Sequence, residues 1–191
     1  MTIKIIEESP SGLAEYAKVS IAFHVESQLR VDLVDNGLGG IRLIEEKIDP
    51  PYMRDGDAIW PTGPNQWANQ WDVSNWGIFA AFDGRERVGG AVVAWNTPGP
   101  EILRGGSQEA ALWDIRVSPG HRGRGVGSEL FAHAAQWARS RRCRAMKVET
   151  NNVNVGACRF YTRRGCELAS FSRLAYAGIR NDVQLIWRLN L

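Results

Sequence analysis

The sequence predicts a mixed α/β (α+β) fold in a single domain spanning residues 1–191. Two observations predict the class: residues alternating with period two near the N-terminus, which make antiparallel hairpins, and a strand–helix–strand crossover nearer the C-terminus. A third sets the domain count. The chain has no internal repeat and no linker that would separate two domains, and 191 residues fit one domain of about 100–200.

Thr2 to Glu7 is a short strand by its β-branched content, and Ser9-Pro10-Ser11-Gly12 ends it before two helical turns from Leu13 to Val19. In the next stretch Phe23, Val25, Ser27, Leu29, Val31 and Leu33 share one face, while His24, Glu26, Gln28, Arg30 and Asp32 share the other. A helix would scatter these residues around its axis, so this is a half-buried strand. Asp35-Asn36-Gly37 turns it into a returning strand carrying Ile41, Leu43, Glu45 and Ile48. Residues 50–75, with Pro50, Pro51, Pro61, Pro64, Trp60, Trp67 and Trp71, hold no period and are assigned to a long loop. Its indoles either pack over the sheet or line an acceptor site or a lid, and the sequence leaves these open. Strands follow from Trp76 to Phe82 and, after Asp83-Gly84, from Arg87 to Trp95; a Pro/Gly-rich link from Thr97 to Ser107 leads to a strand over Ala110–Val117. Val126, Leu130, Ala134, Trp137 and Arg141 recur at helical spacing. The remaining elements are a strand over Ala145–Thr150, a helix over Asn154–Arg164, and strands over Glu167–Tyr176 and Val183–Leu189.

Composition excludes several function classes. No apolar run approaches the roughly 18 residues of a membrane span, and Met1-Thr2-Ile3-Lys4 lacks the plan of a secretory signal. Cys143, Cys158 and Cys166 are odd in number, form no Cys-x-x-Cys, and show no ligand spacing with His24, His121 or His133. The expectation is a cytoplasmic protein with no metal and no membrane partner. A net charge of +2 is too small to argue for nucleic acid. The basic cluster of Arg139, Arg141, Arg142 and Arg144 ends a predicted helix, where cations suit the negative end of the dipole.

The chemistry is concentrated in Asp114-Ile115-Arg116-Val117-Ser118-Pro119-Gly120-His121-Arg122-Gly123-Arg124-Gly125-Val126-Gly127-Ser128. A strand enters a glycine-rich loop that opens a helix. The helix's first turn offers free N–H groups, the glycines let an anion approach them, and Arg122 and Arg124 add charge. Such a loop suits a pyrophosphate. It lacks the Gly-x-x-x-x-Gly-Lys-Ser/Thr of a nucleotide P-loop. Gly123, Gly125 and Gly127 are evenly spaced, unlike the dinucleotide fingerprint, and stand too far along the chain for one.

The spacing Arg122-x-x-Gly125-x-Gly127 resembles the acetyl-coenzyme A loop of the GNAT-type N-acetyltransferase superfamily. A second block strengthens the resemblance: Asn154, Ala157, Phe160, Tyr161 and Gly165 match that family's Asn before Ala-x-x-Phe-Tyr and a Gly, with Cys166 a departure where the family often has an aromatic residue. By local chemistry Asn154 is an N-cap and Gly165 a C′ residue. Within the superfamily, Glu149-Thr150, Ala157 to Tyr161 and Leu174-Ala175-Tyr176 are most similar to the streptothricin acetyltransferases.

The resemblance implies a mostly antiparallel central sheet flanked by helices, and acetyl-CoA as cosubstrate bound by a core over about residues 109–165. It implies cofactor contacts from Ile115, Arg116, Val117, Arg122, Gly123, Arg124, Gly125, Val126, Gly127, Ser128 and Asn154. The strand at Asp114–Val117 is expected to splay from its neighbour, its amides near Ile115 and Val117 holding the pantetheine arm and polarising the carbonyl. Tyr161 is the expected acid for the departing thiolate, since a phenol near pKa 10 is protonated when a thiol near 8.5 leaves. Asp114, Glu149 or a water takes the amine's proton. Glu45, Glu46, Asp49, Asp55 and Asp57 could attract a cationic acceptor or form a solvated acidic face. The expected partner is a small-molecule amine, with no nucleic acid; dimers are common in the family, so a homodimer is among the implied states. A protein lysine or N-terminal acceptor, and a non-catalytic acyl-CoA sensor, stay open as alternatives.

Overall fold

The computed structural model describes residues 2–60, 62–103, 106–176 and 182–191; Pro61 of the Trp-rich segment and residues 104–105 of the Pro/Gly-rich link lie outside them. The chain forms two compact units, each assembled from separated segments.

The first unit comprises Met1–Ile21, Gly56–Val148 and Leu189–Leu191. It contains β1 (Ile3–Glu8), α1 (Leu13–Tyr16), α2 (Gly56–Ile59), α3 (Trp67–Gln70), β4 (Gly77–Asp83), β5 (Glu86–Trp95), β6 (Glu109–Val117), α4 (Val126–Ser140) and the start of β7 (Ala145–Asn151). The numbers β2 and β3 belong to Phe23–Leu33 and Ile41–Arg54 of the other unit. Its strand order is β1-β4-β5-β6-β7, antiparallel except for the parallel β6–β7 pair. That ladder covers Glu109–Leu112 against Ala145–Val148, so among the described residues Trp113–Val117 has no β7 partner within it. On its other edge β6 contains a bulge. Val92 faces Asp114 and Val93 faces Leu112, leaving Trp113 as the extra residue. A bulge sharpens the local twist and re-aims the side chain it carries.

Helix α4 buries Val126, Leu130, Phe131, Ala134, Ala135, Trp137 and Ala138, the stripe expected from its spacing, and packs on β4, β5 and β6. Opposing aromatics are supplied by the segment after α2. Trp67, Val73 and Trp76 join Leu13, Tyr16, Ile78 and Val92 in one core cluster, with Trp71 and Trp113 packed against it. The Trp71 and Trp113 rings meet edge to face at 4.8 Å. The indoles of Trp67, Trp71 and Trp76 are therefore sheet-packing groups, which explains how a segment without a long regular element keeps its place. Gly90 on β5 permits this packing: a Cβ there would lie 2.6 Å from the Tyr16 ring. The terminal arginine cluster is partly explained too, with the Arg141 guanidinium 3.4 Å from the centroid of the Trp137 ring.

The second unit comprises Ala22–Asp55 and Glu149–Arg188. It holds the β2–β3 hairpin, the end of β7, α5 (Val155–Arg163), β8 (Glu167–Ser172) and β9 (Gln184–Asn190), with strand order β7-β9-β8 and antiparallel β8–β9. The expected alternation of β2 holds from Phe23 to Val31 and fails at Leu33, which is exposed; β3 runs further than the sequence suggests, through Pro50-Pro51 to Arg54. The reason lies in the register. Val25 pairs with Tyr52 and Ser27 with Lys47, so Ile48, Asp49, Pro50 and Pro51 bulge opposite Glu26. Prolines lack the ladder N–H, and a bulge is where a strand tolerates them. Conversely β8 stops at Ser172, short of the expected Tyr176, where the Leu174 amide turns back to donate to Ser172 Oγ at 3.2 Å.

Asn152 joins these pieces. Its Nδ2 donates to Leu29 O at 3.1 Å, its Oδ1 accepts from Val183 N at 2.8 Å, and it is 3% exposed. Helix α5 begins as the sequence suggests, with Asn154 Oδ1 accepting from Ala157 N at 3.1 Å. It ends in a Schellman motif: Gly165 at φ +84° lets its amide reach Thr162 O, and the amide of Cys166 reach Tyr161 O. Buried Cys166 fills the C″ position of that motif. Among the described residues no helix is long and apolar enough to cross a membrane.

Candidate active site

In the first unit, Asp114, Ile115, Arg116 and Val117 end β6, and residues 118–125 lead into α4. The Arg116 side chain is buried, with four of its five N–H donors engaged. Its Nε donates to Asp114 Oδ2 at 2.7 Å, Nη1 to Asp57 Oδ2 at 2.7 Å and to Val19 O at 3.2 Å, and Nη2 to Asp57 Oδ1 at 2.9 Å. Burial pushes the Asp114 carboxyl above its ordinary range, against the opposing pull of the Arg116 guanidinium. The Arg116 guanidinium is raised despite burial, because Asp114 and Asp57 favour its charge. The Arg116 side chain is therefore structural, and its backbone faces Gly90 of β5, the edge opposite to that of its two neighbours. Ile115 and Val117, two residues apart on a strand, direct their amides along a common edge.

The loop is tied down before it reaches the glycines. Ser118 N donates to Val88 O at 2.8 Å, Ser118 Oγ and His121 Nδ1 are 2.9 Å apart, and the Arg122 guanidinium donates to Val117 O and Ser20 O at 2.9 and 3.2 Å. Gly123 and Gly125 take φ of +75° and +93°, and a Cβ at either would meet nothing within 4 Å. Open space lies over both, as a bulky anion requires. Gly125 is the N-cap of α4, and its carbonyl already accepts from the Ser128 and Glu129 amides at 2.8 and 3.1 Å. The amides left over at the helix start are those of Val126 and Gly127, beside the positive end of the dipole. Arg124 is exposed and, among the described residues, has no ion-pair partner. Two backbone donors, open glycines and a free guanidinium suit a pyrophosphate.

In the second unit, Tyr161 is 5% exposed, with its ring edge-on to Phe160 at 5.5 Å. Glu149 is exposed, and its Oε1 accepts a 2.8 Å hydrogen bond from the Tyr176 hydroxyl. Burial, and then the Glu149 charge, push the Tyr176 phenol well above its ordinary value. Asp182 and Arg54 form a buried ion pair nearby in the same charge cluster. Of the acidic residues singled out in the hairpin and after it, Glu45 pairs with Arg159 and Glu46 with Arg30, while Asp57 is committed to Arg116. Among the described residues, no group of three or more His, Cys, Asp or Glu side chains is placed to hold a metal ion.

Three contributors take roles that sequence reasoning does not assign to them. Asp57 looks like one more acidic loop residue, and the Trp113 bulge leaves no pattern in the residues. Tyr176 carries the one usable signal, since Leu174-Ala175-Tyr176 belongs to the stretch that resembles a known family.

The profile of the Acetyltransferase (GNAT) family matches residues 43–166, well over half of the chain. A streptothricin acetyltransferase of Streptomyces lavendulae is 29% identical over 168 residues, 84% of this chain and 79% of that protein. A streptothricin acetyltransferase of Escherichia coli is 33% identical over 81 residues, 41% of this chain and 47% of its own length. Among solved structures, nourseothricin acetyltransferase shares the fold with a TM-score of 0.76 at 23% identity, over 100% of this chain and 99% of its own. A Bacillus anthracis str. Ames protein in complex with acetyl coenzyme A has a TM-score of 0.77 at 26% identity, over 100% of both chains.

Proposed function

This chain belongs to the Acetyltransferase (GNAT) family, and from that premise we propose that it transfers an acetyl group from acetyl-coenzyme A to a primary amine of a small molecule, of the streptothricin type. The similarity to the Streptomyces lavendulae enzyme, spread over 84% of this chain, supports the acceptor class. The acetyl-coenzyme A complex of the Bacillus anthracis protein supports the donor.

The observation that carries the reading is the loop from Arg122 to Ser128, with open space over Gly123 and Gly125 and free amides at the start of α4. Val126 and Gly127 amides and Arg124 would take the pyrophosphate, Arg122 and Ser128 would shape the loop around it, and Asn154 would set the start of α5. Ile115 and Val117 amides would hold the pantetheine arm and stabilise charge developing on the carbonyl oxygen. The amine nitrogen gives up a proton and forms the C–N bond, while the C–S bond breaks and the thiolate takes a proton from Tyr161. Of the two carboxylates, Glu149 is our choice to accept the amine's proton, because it is exposed, whereas Asp114 is buried against Arg116. The whole of 1–191 acts as one catalytic domain in this reading. Its three unpaired cysteines are in keeping with a cytoplasmic enzyme.

Thiol release from acetyl-coenzyme A across streptothricin, aminoglycosides, polyamines and a lysine peptide tests the proposal. Release that depends on streptothricin and not on the peptide is expected. Tight coenzyme A binding with no amine-dependent release would instead make the protein an acyl-CoA sensor.

A further inference from the structure

Glu149 and Tyr176 are paired across 27 positions of sequence. The phenol donates to Oε1 at 2.8 Å, and among the described residues no hydrogen bond engages Oε2. A carboxylate at the end of a strand ordinarily rotates through several conformers. With one oxygen held by the phenol, the exposed Glu149 carboxylate has fewer orientations left to its second oxygen. The donor is dependable. Burial and the Glu149 charge both oppose ionisation of the Tyr176 phenol, so it stays protonated across the range in which proteins work. The remaining charges of the cluster cancel: Asp182 and Arg54 are paired, with side-chain exposures of 2% and 7%. Among the described residues, exposed Glu149 has no ion-pair partner.

We infer that Tyr176 is a positioning residue for Glu149, presenting its free carboxylate oxygen to an acceptor that arrives as an ammonium ion. This deepens the acetyltransferase reading and rests on it. Glu149 meets the amine, and Tyr176 acts through Glu149. The acceptors served are amines that are cationic in solution; neutral amines and hydroxyl compounds gain nothing from the pair. In the reacting step the ammonium transfers one proton to Oε2 and becomes the neutral nucleophile, while Oε1 keeps its bond from the phenol; the second proton, lost as the C–N bond forms, passes through solvent to the phenolate that Tyr161 becomes on protonating the thiolate. No other reactant is needed.

The test compares wild type, Tyr176→Phe, Glu149→Gln and the double variant in acetyl-coenzyme A thiol release with streptothricin, and in coenzyme A binding by calorimetry. Tyr176→Phe is expected to lower kcat/KM for the amine about tenfold, the loss typical of one charge-assisted hydrogen bond. The KM for acetyl-coenzyme A and the coenzyme A affinity stay at the wild-type value, which a general structural lesion would not spare. With Glu149 already changed to Gln, the Tyr176 substitution is expected to add little, because its effect passes through that carboxylate. Wild-type kinetics in Tyr176→Phe, or a full tenfold loss added on top of Glu149→Gln, would overturn the inference while leaving the acetyltransferase reading intact. A wild-type protein that released no thiol with any amine would overturn both.

Discussion

Arg116 grips Asp57 with both arms of its guanidinium, Nη1 to Oδ2 at 2.7 Å and Nη2 to Oδ1 at 2.9 Å. The contact joins α2, a four-residue helix with little core of its own, to the last turn-ward residues of β6. So short a helix does not persist unaided. Its position is set by this ion pair and by the indoles that follow it. The same guanidinium holds Asp114, so a single arginine fixes the strand that carries the Ile115 and Val117 amides.

The network has an order of dependence. Arg116→Met leaves Asp114, 7% exposed, without its counter-ion. It is expected to lower the unfolding free energy by about 3–5 kcal/mol, as removal of one partner from a buried pair does. Asp57→Asn should cost less, about 1–2 kcal/mol, because the Asp57 side chain is 35% exposed and Arg116 keeps Asp114. Urea midpoints of the two variants check the order; a larger loss in Asp57→Asn would contradict it.

Gly125 separates conformation from space. A Cβ there meets nothing, so the penalty of substitution lies in the backbone, held at φ +93°. Gly125→Ala is expected to reduce stability by about 1–2 kcal/mol, the cost of a left-handed residue with a side chain. Gly120, equally open but without a positive φ, is the control and should accept Ala with little change. Gly125→Glu should also abolish coenzyme A binding by calorimetry, by setting a carboxylate among the donors for the pyrophosphate. Undiminished affinity would sink the assignment of this loop.

Much of this was legible from residue order. The β2 alternation, the α4 stripe and the Asn154 and Gly165 caps each depend on neighbours within one element, and local rules describe them well. What failed depended on partners distant in sequence. β3 passes through Pro50-Pro51 because its pairing with β2 bulges opposite Glu26, and that register is not written in either strand alone. Arg116 matched a cofactor-binding stretch, yet what its side chain does is decided by Asp57, 59 positions away. Residue order puts Tyr176 in a strand, and its importance emerges only from the carboxylate it meets, 27 positions earlier.

Tyr161→Phe removes a hydroxyl and leaves the ring against Phe160. If the phenol protonates the departing thiolate, turnover falls by about 10²–10⁴, the range of general acid catalysis. Coenzyme A affinity should be unchanged, because the interaction is made during the reaction and not in the bound ground state. Stopped-flow thiol release alongside calorimetry separates the two quantities. Full turnover in the variant removes Tyr161 as the acid.

The buried thiols predict an alkaline weakness. Burial pushes Cys158 up to about 12 and Cys166 up to about 11. Both lie above the unfolded value near 8.5, so the folded chain keeps protons that the unfolded chain releases. Their stabilisation is complete below about pH 8.5 and is lost as the pH climbs through the folded values. Between those limits each thiol is expected to lower the unfolding free energy by up to about 1.4 kcal/mol per pH unit. Cys158→Ala removes one of the two contributions. Chemical denaturation between pH 8 and 10 should therefore show a shallower decline in the variant than in wild type. Burial keeps the Cys158 thiol protonated at pH 8, so an aromatic disulfide reagent should label the native protein slowly and the unfolded chain at once. Parallel pH slopes in variant and wild type, together with rapid native labelling of Cys158, would mean that the thiol is not held in an apolar site.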